Sequence, residues 1–237
     1  MKAIPWPSDR FRLASMEITQ RCDNRCLYCE QSKTERDMSP ARFAALLDEL
    51  TVDGVEAVAL GGGEPTLHPA LPALLQAAHQ RVLHAGLTTN ARDPDQVLRL
   101  TNAGLLDSFG VSAGKGKWQR LVAHPRAVVN LLLLRGGLPQ VMEWAVEALR
   151  CRAHCLLLLG YKGGNPRFNP STAELSAAFG LLTRLGHVAG VTVATDDYTR
   201  RRLGLTETCG EGFLRVNLDG IRDCCCFPTC EYRVTDG

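Results

Sequence analysis

Leu13-Ala14-Ser15-Met16-Glu17-Ile18-Thr19 runs directly into Gln20-Arg21-Cys22-Asp23-Asn24-Arg25-Cys26-Leu27-Tyr28-Cys29. The first seven residues alternate in character and read as a strand. The three cysteines therefore lie on the loop that leaves it. A CxxxCxxC triplet presents three thiolates, whereas an iron-sulfur cubane has four irons to ligate, so one iron is left open to bind something else. Zinc usually pairs two close ligands with two distant ones, and CxxxCxxC is not that spacing; a zinc or disulfide site is the plainer alternative.

A second apolar run, Val55 to Leu60, ends in Gly61-Gly62-Gly63-Glu64-Pro65. Glycines there permit close backbone approach and positive φ, and Glu64 adds a carboxylate. With these two motifs, each at the end of a strand, the chain resembles the radical S-adenosylmethionine (radical SAM) superfamily. That resemblance covers the cysteine spacing, the aromatic Tyr28 before the last cysteine, and the match of Gly62, Gly63 and Glu64 to the family's GGE element. It implies a 4Fe-4S cluster on Cys22, Cys26 and Cys29 whose open iron chelates S-adenosylmethionine, with Gly62, Gly63 and Glu64 holding the cosubstrate's ammonium. Reductive cleavage would give a 5′-deoxyadenosyl radical that takes hydrogen from a substrate.

Further along the chain, short apolar runs alternate with longer amphipathic ones, the pattern of repeated βα units on a parallel sheet. Strands are expected at 13–19, 57–60, 82–88, 108–111, 128–134 and 155–159, with an extra one at 191–194. Helices are expected at 41–50, 70–80, 94–103, 117–123, 139–149 and 172–185. Ser39 suits the N-cap and Pro40 the first turn of the first helix. Six units of roughly 30 residues fall short of the eight-unit closed barrel. The expected fold is thus α/β, an open partial (β/α)6 barrel over residues 1–204, with a small cysteine-rich extension at 205–237; the family resemblance implies the same core.

In such sheets ligands gather at the carboxyl ends of the strands. Thr88, Thr89 and Asn90 follow the third strand, Ser112 the fourth, and Asn130 lies in the fifth. By position, the resemblance makes Ser112 and Asn130 candidates for holding the cosubstrate's ribose or carboxylate, and Asn90 stands at the same mouth. Each also suits a capping or turn role. The loop 159–167 carries Tyr161, Lys162 and Arg167, which could touch adenine or a substrate carboxylate. Gly114-Lys115-Gly116-Lys117 lacks the spacing of a phosphate loop and reads as a turn.

Cys209, Cys224, Cys225, Cys226 and Cys230 crowd the carboxyl-terminal tail. Cys209, Gly220 and Cys225 resemble the opening element of SPASM and twitch auxiliary-cluster domains, which implies a second 4Fe-4S cluster drawing on Cys209, Cys230 and one or two of Cys224, Cys225 and Cys226. Residues 213–221 read as a hairpin with an Asp-Gly turn that brings Cys209 towards Cys225. Neighbouring side chains alternate along an extended segment, so Cys224 and Cys226 share a side and Cys225 faces the other. A zinc site on four of these thiolates is the alternative, and a thiol outside the ligand set, Cys224 or Cys226, could donate hydrogen. Cys151 and Cys155 read as buried small hydrophobes.

The 237 residues are 45% hydrophobic and 22% charged with net charge +2, which supports a full core and makes no electrostatic case for nucleic acid. No stretch has the length of a signal sequence core or a membrane span. A cytoplasmic location is expected, as are an electron donor such as flavodoxin or ferredoxin and a peptide or small-molecule substrate, without a separate peptide-recognition domain. The competing functional reading is a noncatalytic iron-sulfur or zinc protein, structural or electron-transferring.

Overall fold

Alternation of buried and less buried residues, clearest along β4, β5 and β6 (residues 108–112, 127–133 and 155–160), builds the sheet that carries this molecule. The computed structural model describes residues 12–225 and Tyr232. The strands are β1 (Leu13–Thr19), β2 (Ala57–Gly62), β3 (His84–Thr89), β4 (Ser108–Ser112), β5 (Ala127–Leu133), β6 (Cys155–Gly160), β7 (Thr192–Thr195), β8 (Phe213–Val216) and β9 (Arg222–Asp223). They form one sheet in the order β7-β6-β5-β4-β3-β2-β1-β8-β9. Every pairing is parallel except that of β8 with β9. The sheet ends on β7 and β9 without closing, so the expected open, partial barrel is the architecture found.

The helices are α1 (Pro40–Val52), α2 (Leu71–His79), α3 (Pro94–Asn102), α4 (Gln119–Val122), α5 (Leu138–Arg150), α6 (Thr172–Ala189) and α7 (Asp197–Arg202). Ser39 caps α1 as its sequence predicts, its Oγ accepting from Arg42 N–H at 3.2 Å with Pro40 in the first turn. Ser171 and Glu174 close a capping box on α6, which stops at Gly190 with φ 68°. The third strand begins two residues later than its apolar run suggests. Val82 has φ 59° and is spent on terminating α2, a left-handed conformation that is strained for a β-branched residue.

The two faces of the sheet differ. Ala14, Met16, Ile18, Val58, Leu60, Leu87, Phe109, Val111, Val129, Leu131, Leu156 and Leu158 are buried, on the side covered by the helices. Phe43, Leu46, Leu47 and Leu50 of α1 are buried with them in one continuous core, each worth about 1.5–3 kcal/mol by burial. The alternate positions, Ser15, Ala59, Gly61, Gly86, Thr88, Gly110, Ser112 and Asn130, are small or polar and less buried. They line the hollow side of the curved sheet, which is where a ligand would sit.

The tail joins the sheet: β8 adds in parallel to β1, with Ser15 opposite Arg215. The hairpin is as expected, but its loop is longer than a two-residue Asp-Gly turn. Asn217 N–H bonds Ile221 O at 3.0 Å, Gly220 N–H bonds Asn217 O at 2.9 Å, and Gly220 has φ 82°, the three-residue loop with a left-handed glycine. No helix among the described residues is long and apolar enough to cross a membrane.

Candidate active site

The cysteine loop begins where β1 ends, and its neck is tied shut. Thr19 pairs with Asp37 across the base, Gln20 N–H bonds Arg36 O at 2.9 Å, and Met38 N–H bonds Ile18 O at 2.8 Å. Asp37 accepts Thr19 Oγ1 at 2.6 Å and Arg21 Nε at 2.8 Å. Burial alone would raise this carboxyl, but the bonds from Thr19 and Arg21 outweigh it and hold its pKa below the usual value. Arg21 also pairs with Glu35.

The glycine motif docks on this neck. Gly63 N–H bonds Thr19 O at 2.8 Å and Glu64 N–H bonds Arg21 O at 2.7 Å. A Cβ on Gly62, at φ 109°, would stand 2.2 Å from Thr19 O, and one on Gly63 2.0 Å from Arg21 O. The close approach that these glycines permit is thus to the start of the cysteine loop itself. A register shift between Glu17 and Thr19 bends β1 where the two motifs meet.

The Glu64 carboxylate points inward. It is 2% exposed and accepts from Thr66 Oγ1 at 2.7 Å, Thr89 Oγ1 at 2.8 Å and Asn90 N–H at 2.7 Å. Burial pushes its pKa up against these bonds. Asn90 continues the chain of contacts, its Nδ2 donating to Asp23 at 2.7 Å. Glu64 and Asn90 therefore join the ends of β2 and β3 to the cysteine loop.

Cys22, Cys26 and Cys29 are half-buried and in no disulfide. Cys29 N–H bonds Cys26 O at 3.0 Å, closing a turn between the last two. The rim after β4 supplies a cation that sequence reasoning treated only as part of a turn: Lys115 Nζ stands 3.0 Å from Cys26 Sγ and 5.0 Å from the centre of the Tyr28 ring. Burial would lower its pKa, but the contacts with Cys26 and Tyr28 outweigh that and raise it. Burial raises the Tyr28 phenol. Its place at the carboxyl end of a strand was the signal available, since all such ends meet at one mouth.

These residues fit a cluster. A cubane asks for one thiolate per iron, and Cys22, Cys26 and Cys29 are three partly exposed thiols in no disulfide. The hollow wall also has an unsatisfied group. Asn130 Oδ1 is buried without a partner, and Asn130 Nδ2 and Thr88 Oγ1 flank the space over Gly110 where a Cβ would be. Ser112 lies opposite Asn130 in the β4/β5 register.

A cavity of about 670 Å³ opens at this mouth, lined among others by Glu17, Tyr28, Cys29, Tyr161, Arg215 and Cys225. Glu30 latches its roof, accepting from Tyr161 Oη at 2.9 Å and Gly164 N–H at 2.8 Å. Lys162 pairs with Asp196 and is not a loose cation. A Cβ on Gly210 would lie 3.1 Å from Cys224 O, which sets the Cys209 segment beside Cys224. Cys224 is exposed and Cys225 half-buried. Cys226 and Cys230 lie outside the described residues.

Residues 16–116 match the radical SAM superfamily. The matched segment runs from β1 to the loop after β4, and the radical SAM likeness belongs to that segment. It is 32% identical over 150 residues to the PqqA peptide cyclase of Gluconobacter oxydans, covering 55% of this chain and 40% of that protein. Likewise it is 29% identical over 108 residues to the Fe-coproporphyrin III synthase of Methanosarcina barkeri, covering 43% and 27%. The chain thus spans less than half the length of these relatives. Among solved structures, Streptococcus suis SuiB bound to S-adenosylmethionine superposes with TM-score 0.75 at 16% identity, over 92% of this chain and 61% of that one. The anSMEcpe structure with AdoMet and the Cp18Cys peptide gives 0.66 at 14%, over 95% and 76%. At these identities the likeness concerns the fold.

Proposed function

We infer that this protein is a radical SAM enzyme acting on a peptide or small-molecule substrate. The carrying observation is the neck-tied loop of Cys22, Cys26 and Cys29 at the carboxyl end of β1, with the Gly62-Gly63 turn fastened against it. When bound there, a 4Fe-4S cluster with one open iron supplies the electron that splits S-adenosylmethionine into methionine and a 5′-deoxyadenosyl radical.

The chain's own residues do the rest. The carbonyls of Gly61 to Gly63 accept the cosubstrate's ammonium, while Glu64 and Asn90 hold the turn and the cysteine loop in register. Tyr28 and Lys115 border the thiols, and Asn130 Oδ1 with Ser112 accepts hydroxyl donors from the hollow wall. In this reading residues 1–204 form the catalytic barrel and 205–237 an auxiliary region. There, Cys209, Cys225, Cys226 and Cys230 hold a second 4Fe-4S cluster. The protein works in the cytoplasm with flavodoxin or ferredoxin as electron donor. Peptide substrates are favoured by relatives named PqqA peptide cyclase.

The test is anaerobic reconstitution, reduction with dithionite, and chromatography for 5′-deoxyadenosine after adding S-adenosylmethionine. Wild-type protein forms it and Cys26→Ala does not. Intact cosubstrate with fully loaded wild-type protein would instead establish the noncatalytic iron-sulfur reading.

A further inference from the structure

The cavity contains six charged side chains, and five of them are already committed. Glu17 accepts from Leu218 N–H at 3.1 Å and from Gln20 Nε2 at 3.5 Å. Glu30 holds Tyr161 and Gly164. Asp196 pairs with Lys162 and caps α7 through Thr199 N–H at 3.1 Å. Asp223 accepts from Cys225 N–H at 3.0 Å.

Arg215 is different. Its side chain is 13% exposed, yet its nearest acceptors are Ser15 Oγ at 3.5 Å and Glu17 Oε2 at 3.7 Å. Both distances lie at or beyond the limit of a useful hydrogen bond. A guanidinium has five N–H donors in a planar fork, and a mostly buried one with only slack contacts has donors to give. The β8/β1 register turns Arg215 onto the same hollow face as Ser15, so those donors front the cavity.

We propose that Arg215 anchors a carboxylate of the substrate. This rests on the reading of the barrel as a radical SAM active site and deepens it by naming the substrate's chemistry. The fork of Arg215 matches a carboxylate in two parallel bonds. The surroundings select the charge: Glu17 lies beside the guanidinium, and Asp223 lies directly across the strand pair from it. Two neighbouring carboxylates repel a dianionic phosphate more strongly than a single negative charge. The ligand is therefore a monoanion, an acidic side chain or the terminal carboxylate of a peptide or small acid, held on the β8 side of β1.

The experiment measures binding, not turnover, on anaerobically reconstituted protein with saturating S-adenosylmethionine. Saturation-transfer NMR titrations compare N-acetylglutamate α-amide, N-acetylglutamine and N-acetylglutamine amide, with inorganic phosphate added as a competitor. Carboxylates should bind at least tenfold more tightly than the neutral amide, and which of the two acids is preferred assigns the side-chain or terminal source. Arg215→Gln should abolish the preference and Arg215→Lys should weaken it about threefold to tenfold. Glu17→Gln, which keeps the acceptor for Leu218 N–H, should strengthen it, and this variant carries the test if Arg215→Gln fails to fold. Equal binding of acid and amide overturns the proposal, as does a preference that survives in Arg215→Gln or tighter binding of phosphate. A tenfold weaker affinity for S-adenosylmethionine in Arg215→Gln, with probe binding unchanged, overturns it in favour of the cosubstrate's carboxylate. Failure of wild-type protein to form 5′-deoxyadenosine would sink the enzymatic reading alone, because probe preference is measured without it.

Discussion

The cysteine loop after β1 and the cysteine-bearing tail contribute to the same cavity, yet they are fastened by different forces. The loop is held by backbone bonds from Gly63 and Glu64 and by the part-buried Thr19–Asp37–Arg21 cluster. The tail hairpin rests on the β8/β1 pairing, and its outer corner leans on charged pairs at the surface: Arg36–Asp219, Arg222–Glu49 and Arg222–Asp53. Short-range backbone contacts between two motifs make a rigid frame. Exposed ion pairs are weak and are screened by salt. The first region is built to keep its shape and the second to yield first.

The sharpest way to break that contrast is Gly63→Ala. The new methyl meets backbone, not a movable side chain, so a loss of about 3 kcal/mol is expected, seen as a lower thermal midpoint with loss of iron from the first site. Glu64→Ala comes next. It strands the buried donors of Thr89 and Asn90 at a cost of about 2 kcal/mol, readable by urea unfolding. Burial raises the Glu64 pKa above 4.5 in the fold, so the folded state binds this proton more tightly than the unfolded chain does. The group's contribution to stability is therefore greatest below the unfolded value. It falls as pH rises from there through the folded value. Glu64→Gln should remove that slope from stability measured across the acid range.

In the tail, Gly210→Ala should cost about 1 kcal/mol, because Gly210 sits at φ 81° and the methyl would stand a tight 3.1 Å from Cys224 O. The smallest effect is Arg222→Ala, about 0.5 kcal/mol at low salt and less at 1 M sodium chloride. Hydrogen exchange at the β9 amides reads it locally. Equal sensitivity of both regions to these changes would remove the distinction.

Much of this could be read from the chain because the signals were local. Period-two alternation marked six barrel strands, Ser39-Pro40 marked a helix start, and two motifs at strand ends marked the site. Where reading fell short, the cause was contact between distant segments. Four residues at 213–216 carry no sign that they will pair with β1 rather than stand apart. Nothing near Glu64 says that its carboxylate turns inward to Thr89 and Asn90. Lys115 looked like one lysine of a turn until the convergence of strand ends brought it to Cys26. Glu17 and Arg215 were a strand residue and a hairpin residue, and only their shared register makes them neighbours.

The bond from Leu218 N–H to Glu17 joins residues 201 positions apart. During translation β1 therefore appears early with one flank uncovered, and its partner β8 follows only after roughly 10–40 s of synthesis at 5–20 residues per second. An unpaired strand flank invites association with other chains. Expression conditions that slow elongation late in the message should accordingly lower the soluble yield, even though every residue of the cysteine loop has long since left the ribosome.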